Sequence, residues 1–164
     1  MRRTDTHKCT GNSLHHWHKV RNPLRVCINF LLIYAARYSP SLSLKRFLLR
    51  AAGARVERGA AFGLGATIDI FFPENISVGQ GAIIGYNTVL LGHEFLQGEY
   101  RTGKAEIARG AMLGANCTVL PGVKVGAGAS VSAMSLVNRD IPAGETWGGV
   151  PARRISARPG KRGD

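Results

Sequence analysis

From Ile107 onward a large aliphatic residue recurs every sixth position: Ile107, Leu113, Val119, Val125, Val131 and Val137. The same step runs through Val78, Ile84 and Leu90, and through Val56, Phe62 and Ile68. Three residues after the aliphatic, eight of the twelve hexads carry Gly or Asn: Gly59, Gly65, Gly81, Asn87, Gly110, Asn116, Gly122 and Gly128. These two residue types tolerate positive φ, so the chain turns a corner there. One position further the side chain is small, as in Ala60, Ala66, Ala82, Thr88, Ala111, Cys117, Ala129 and Ser135. Three such corners close a triangle, so eighteen residues make one coil, and stacked coils form parallel sheets around an aliphatic core.

Four coils are expected, over 56–73, 78–95, 107–124 and 125–142. Two interruptions break the period. The step from Ile68 to Val78 is ten residues and contains Pro73; the step from Leu90 to Ile107 is seventeen, so a loop protrudes. Protrusions from a regular scaffold are where function concentrates.

An open coil also exposes apolar interior and strand edges, so each end needs a cover. Residues 21–55 read as a helical cap. Pro23 to Arg37 is apolar nearly all round. A second helix follows with Ser43 as N-cap, Leu44, Phe47, Leu48 and Ala51 on one face, and Gly53 as its stop. Residues 1–20, polar and rich in histidine, read as a mobile arm, 56–156 as the solenoid and 157–164 as a basic tail.

Composition changes the picture mainly through charge. The 164 residues carry 22 Lys+Arg against 10 Asp+Glu, a net +12 that suggests nucleic acid or a membrane surface. The charge is not uniform: it is +10 over 1–58, −2 over 59–150 and +4 over 151–164. A net acidic repeat region without interleaved stacking aromatics argues against nucleic acid. A basic, apolar cap at 21–55 suits peripheral contact with anionic lipid. The longest apolar run, Val26–Ala36, has eleven residues and contains Asn29, short of the ~18 that span a bilayer. Cys9, Cys27 and Cys117 form no CxxC pair, which argues against a disulfide framework or structural zinc. The expectation is a soluble, cytoplasmic protein, membrane-peripheral at most.

The runs VGQGAIIGYNTVL, GHEF, IARGAMLGANCTVLPGVKVGAGASV and NRDIPAGETWGGVPARRI resemble those of the hexapeptide-repeat acyltransferases. The resemblance is nearest to the maltose/galactoside O-acetyltransferase group and covers about residues 56–156. It implies a mainly β fold, a left-handed parallel β-helix with an N-terminal helical cap. It further implies a homotrimer with sites between subunits, and acetyl transfer from acetyl-CoA to a sugar or glycan hydroxyl.

His93, the one histidine of the repeat region, opens the protruding loop and matches the family's catalytic base; imidazole titrates near working pH. Glu94 either orients that ring or is solvated. Ala115 matches the position whose amide receives the oxyanion, an interaction of ~3 kcal/mol. Ala133, one coil later, matches an amide on the pantetheine arm. Pro151 and Ala152 lie beside the adenine, and Arg153 meets a CoA phosphate, with Arg154 and Arg158 adding charge. Asn138 aligns with a hydroxyl-bearing cofactor contact. Met112 replaces the tryptophan usual near the acceptor. Asp69, Asn87 and Arg101 are the candidate acceptor contacts, with turn capping the alternative for the first two.

No metal is expected: a γ-class carbonic anhydrase on this scaffold needs three zinc-binding histidines, and the repeats hold one. N-acetylation of an amino sugar or amino acid stays open, as does a solenoid that serves only as a scaffold.

Overall fold

The computed structural model describes residues 2–157; Arg158 and the rest of the basic tail lie outside them. The core is a three-sided prism of parallel strands. Side one stacks Arg55–Val56, Ile76–Val78, Ala105–Ile107 and Lys124–Val125. Side two stacks Ala61–Phe62, Ile83–Ile84, Met112–Leu113 and Ser130–Val131, and is extended by Glu145–Gly148 and Arg153–Ala157. Side three stacks Thr67–Ile68, Val89–Leu90, Thr118–Val119 and Leu136–Val137.

The register places the hexad aliphatics in vertical columns. All twelve are buried, as are the eight small residues beside them. All eight Gly and Asn corner residues have positive φ. At one corner the rule fails: Met134 adopts φ +60° although its side chain is neither Gly nor Asn.

The strands bond alternately up and down the stack: Ile83 N and Gly85 N donate to Ala111 O and Leu113 O of the following coil, while the corner amides of Gly110 and Asn116 donate back to Gln80 O and Tyr86 O. The first coil is therefore left with carbonyls that have no strand beneath them. A buried acceptor without a donor costs ~1–3 kcal/mol, so these carbonyls must be supplied with donors.

The helices supply them. Helix α1 (Trp17–Val20) leads into α2 (Pro23–Tyr38), which is N-capped by Asn22, with Pro23 at its first position. Helix α3 (Leu42–Ala52) follows. Ser41, two residues before the expected Ser43, is its N-cap, and Gly53 ends it at φ +116°. Lys45 Nζ donates to Gly63 O (2.9 Å) and Arg37 O (3.3 Å), Arg46 to Ala60 O (3.3 Å) and Arg50 Nε to Val56 O (2.6 Å). Asn29 of α2 donates to Ile70 O (3.0 Å), and Arg21 to Phe71 O (2.7 Å).

This need overturns the expected packing of α3. Lys45, Leu49 and Ala52 are its buried residues, while Leu44 and Phe47 are exposed. The aliphatic stem of a lysine covers the core as its ammonium reaches the carbonyls.

At the opposite end Asp140 accepts from Lys124 N (2.7 Å). Carbonyls of Ile141, Trp147 and Gly149 receive Gly126, Ser132 and Leu136.

In place of a mobile arm, Asp5–Asn12 forms a strand. It pairs antiparallel with Gln97–Thr102, which pairs in turn with His93–Phe95, so the protruding loop is a hairpin with the N-terminal strand on its outer edge. The His7 and Tyr100 rings stack at 4.5 Å. Lys8 and Arg101 both bind Glu99 and hold its carboxyl below the usual carboxylate range. Buried Ser13 accepts from Leu96 N (2.8 Å) and fixes the hairpin's bend. Among the described residues no helix is long and apolar enough to cross a membrane.

Two stability outcomes follow. Lys45→Met removes the buried ammonium from Gly63 O and Arg37 O, which keep only the Ala66 and Gly65 amides, and costs about 1–2 kcal/mol in denaturant unfolding. Burial also pushes the Lys45 ammonium below its ordinary value. Between that depressed value and the unfolded one, the unfolded chain binds more protons, so wild-type stability rises with alkaline pH through this window. Lys45→Met removes that rise. Met134→Asn relieves a left-handed backbone and raises the melting midpoint by about 2–4 °C.

Candidate active site

The two period breaks leave from neighbouring strands of side three, after Ile68 and after Leu90, so they emerge at the same corner one coil apart. There they build one constellation around Asp69 and His93. Asp69 Oδ1 accepts from Phe71 N (2.8 Å) and Phe72 N (3.0 Å), and Oδ2 accepts from Gly92 N (2.8 Å). The same Oδ2 is hydrogen-bonded to His93 Nδ1.

The carboxyl is buried, and three backbone donors already converge on it. It therefore serves as the acceptor and the Nδ1–H as the donor. That arrangement leaves Nε2 as the ring nitrogen able to take a proton.

Gly92 is required for this approach, because a Cβ there would lie 2.9 Å from Phe72 O and from Asn75 Cβ. The imidazole is walled by Phe95 at 4.5 Å, Phe71 at 5.0 Å and Phe72 at 5.5 Å between ring centroids. Its side chain keeps 12% exposure. The result is an imidazole whose tautomer and orientation are set, walled by aromatic rings and exposed only in part.

Asp69 was expected as an acceptor contact; its oxygens are instead occupied in holding His93 and the Phe71–Phe72 turn. Glu94, the alternative orienting group, pairs with Arg2 at 2.8 Å. Arg101 is held by Glu99 on the hairpin. Asn87 stands at a different corner, between sides two and three. There its Oδ1 accepts from Arg37 (3.1 Å) and its Nδ2 donates to Asn116 Oδ1 (2.9 Å), so its side chain is engaged by two neighbouring segments.

The expected cofactor residues group along that second corner. Met134 N donates to Ala115 O (2.9 Å), so Ala115 and the Ala133–Met134 turn stack directly. Leu136 N donates to Gly149 O and Ala152 N to Leu136 O (2.8 Å), which carries the track up to Pro151, Ala152 and Arg153. The amides of Ala115 and Ala133 meet no acceptor among the described residues. Arg153 and Arg154 are exposed at the upper end. Asn138 belongs to the corner between sides three and one, apart from this track, and its buried Oδ1 has no partner among the described residues.

Sequence reasoning missed the Asp69–His93 pair and its aromatic walls. The signal was available: both interruptions begin after a side-three aliphatic. Among the described residues no group of three or more His, Cys, Asp or Glu side chains could hold a metal.

No family model matches the chain. Over 157 residues it is 48% identical to a Bacillus subtilis protein named Putative acetyltransferase YvoF, covering 94% of this chain and 91% of that one. Its fold is similar to that of a galactoside acetyltransferase in complex with coenzyme A (TM-score 0.64, 21% identity, 82% of this chain and 81% of that one). It is also similar to the hexapeptide-repeat-containing acetyltransferase VCA0836 of Vibrio cholerae complexed with acetyl coenzyme A (TM-score 0.60, 19% identity, 82% and 87%).

The carboxyl–imidazole contact has a spectroscopic signature. A downfield Nδ1–H proton resonance from His93 is expected in the wild-type protein and lost in Asp69→Asn with the fold retained. Its persistence in the variant would show that Asp69 does not hold the ring.

Proposed function

The chain belongs to the acetyltransferase family that includes YvoF, and we propose that it transfers acetyl from acetyl-CoA to a hydroxyl of a sugar or glycan, with His93 as general base. The observation that carries this reading is the partly exposed imidazole whose Nδ1 is taken by buried Asp69, leaving Nε2 free.

In the reaction Nε2 removes the acceptor's hydroxyl proton as the oxygen bonds to the thioester carbonyl. The carbonyl oxygen becomes an oxyanion and receives the Ala115 amide. The C–S bond then breaks, the acetyl ester leaves, and the imidazolium returns its proton to the CoA sulfur. The free amide of Ala133 continues the same ladder toward the pantetheine arm. Pro151 and Ala152 flank the adenine, and Arg153, with Arg154, meets phosphate.

Within one chain, however, His93 and Ala115 stand at different corners of the prism with side three between them. The chemistry needs both at one carbonyl. A homotrimer in which the His93 corner of one copy faces the Ala115 corner of the next supplies that meeting, and closed rings are the ordinary outcome of such head-to-tail contacts.

His93→Ala lowers kcat by ~10²-fold or more with KM for acetyl-CoA little changed, measured as thiol release across a panel of sugars, nucleotide sugars and amines. Equal activity of the two proteins on a competent acceptor would remove His93 as the base, and transfer confined to amines would assign N-acetylation.

The assembly is tested by complementation. Pro121 occupies, at the next corner, the slot that Ala115 holds, so Ala115→Pro removes the amide hydrogen in a position that accepts proline. Each variant alone is slowed by ~10²-fold or more, while co-expressed His93→Ala and Ala115→Pro chains regain activity in mixed trimers. Failure to complement would place both groups in one chain.

A further inference from the structure

Phe71, whose ring lies 5.0 Å from His93, also meets Trp17 at 5.7 Å. From there a groove of ≈470 Å³ runs between α2 and the base of side three, walled by Trp17, Cys27, Phe30, Leu31, Ile70 and Phe71. No polar atom contributes to its wall. Its outer lip is exposed, Leu31 being 66% accessible. A recess lined only by apolar atoms favours an apolar occupant.

A free sugar gains little in a recess that offers no hydrogen bond, whereas a hydrocarbon chain loses only water. Charge narrows the occupant. Most of the groove is built from a stretch, residues 6–56, with nine Lys and Arg and no Asp or Glu. Several of those cations are turned inward to the first-coil carbonyls. The His18 ring, however, meets Trp17 edge-on at 6.3 Å and is exposed, as is Lys19 after it, which forms no ion pair among the described residues.

We propose that the acceptor is a glycan carried on an anionic lipid: its hydrocarbon chain lies in the Trp17–Leu31–Phe71 groove, its phosphate faces His18 and Lys19, and the hydroxyl acetylated is on the sugar nearest the lipid. A single aromatic ring, Phe71, separates the groove from the base, which is why the reacting hydroxyl sits close to the carrier. The inference rests on the acetyltransferase reading for its chemistry, but the groove can be tested without it.

Cys27 reports on the groove because it is an exposed wall residue. Cys117 is buried, and its thiol is pushed up by that burial, which keeps it unreactive. In the full chain carrying Cys9→Ser, maleimide labelling of Cys27 is followed with farnesyl phosphate below its micellar concentration. At least tenfold protection is expected, with weaker protection by farnesol and none by inorganic phosphate or a cationic alkyl ammonium. Leu31→Asp abolishes the protection and Leu31→Phe retains it; both substitute an exposed position.

Unhindered labelling in the presence of farnesyl phosphate, or equal protection by the cationic amphiphile, would overturn the proposal. So would a Cys27 already unreactive in the protein alone, which would show the face covered by another copy. The activity arm compares a prenyl-phosphate-linked sugar with the free sugar, and kcat/KM at least tenfold higher for the former is expected. Protection of Cys27 without transfer to any acceptor would defeat the acetyltransferase reading and leave the groove assignment standing.

Discussion

The coils stack in parallel, so successive residues of each strand bond alternately to the coil above and the coil below, and a terminal coil has peptide groups with no strand to meet. Those buried groups must be given partners from outside the repeat. At the first coil Lys45, Arg46, Arg50, Asn29 and Arg21 donate to its carbonyls. At the last, Asp140 and three carbonyls accept from its N–H groups, while Ile141 N and Ala152 N donate to Lys124 O and Leu136 O. Four of the twelve Lys and Arg in residues 1–58 are thereby accounted for without nucleic acid. These cations are structural groups aimed into the protein, and their long stems replace the missing coil.

The same stacking positions the chemistry. Because register is locked by twelve interior aliphatics, a residue that leaves the period on one coil is held directly beneath one that leaves it on the next. The Asp69 turn and the His93 loop therefore meet although twenty-four positions separate their two polar residues. Neither insertion would make a site by itself. The shorter one contributes the carboxyl and two aromatic rings, the longer one the imidazole and a third.

The sequence was legible where one short-range rule decides the structure. Hexad aliphatics, small neighbours and Gly or Asn corners all read correctly, because burial and positive φ restrict residue type at each slot. Met134 broke the corner rule, yet the ladder on both sides carried it into a left-handed turn. The face of α3 was misread because amphipathicity assumes that the apolar stripe is the buried one. Over a row of bare carbonyls a lysine is the better buried residue, and Leu44 and Phe47 were left outside. The N-terminal strand was invisible for a related reason. Asp5–Asn12 has no alternating apolar face, and its order comes from pairing with a hairpin edge ninety residues away. For Asp69 the difficulty was topological: its role is set by the shared corner, which is apparent only once the coils are stacked.

In the proposed assembly the division of the site between chains has a chemical consequence. A thioester near a poised imidazole is open to attack by water as well as by the acceptor. Here the base sits on one copy, walled by Phe71, Phe72 and Phe95, while the amides that would receive the carbonyl stand on the opposite side of the sheet. A lone chain thus holds a base without a polarised carbonyl, and it cannot activate the thioester. Only association brings oxyanion donor and base to the same atom, and it does so in a recess whose aromatic lining disfavours water. The rigidity of the prism makes this workable. Reacting groups must be placed within a fraction of an ångström, and a corner fixed by four stacked turns offers that placement to a neighbouring copy as reliably as to its own chain.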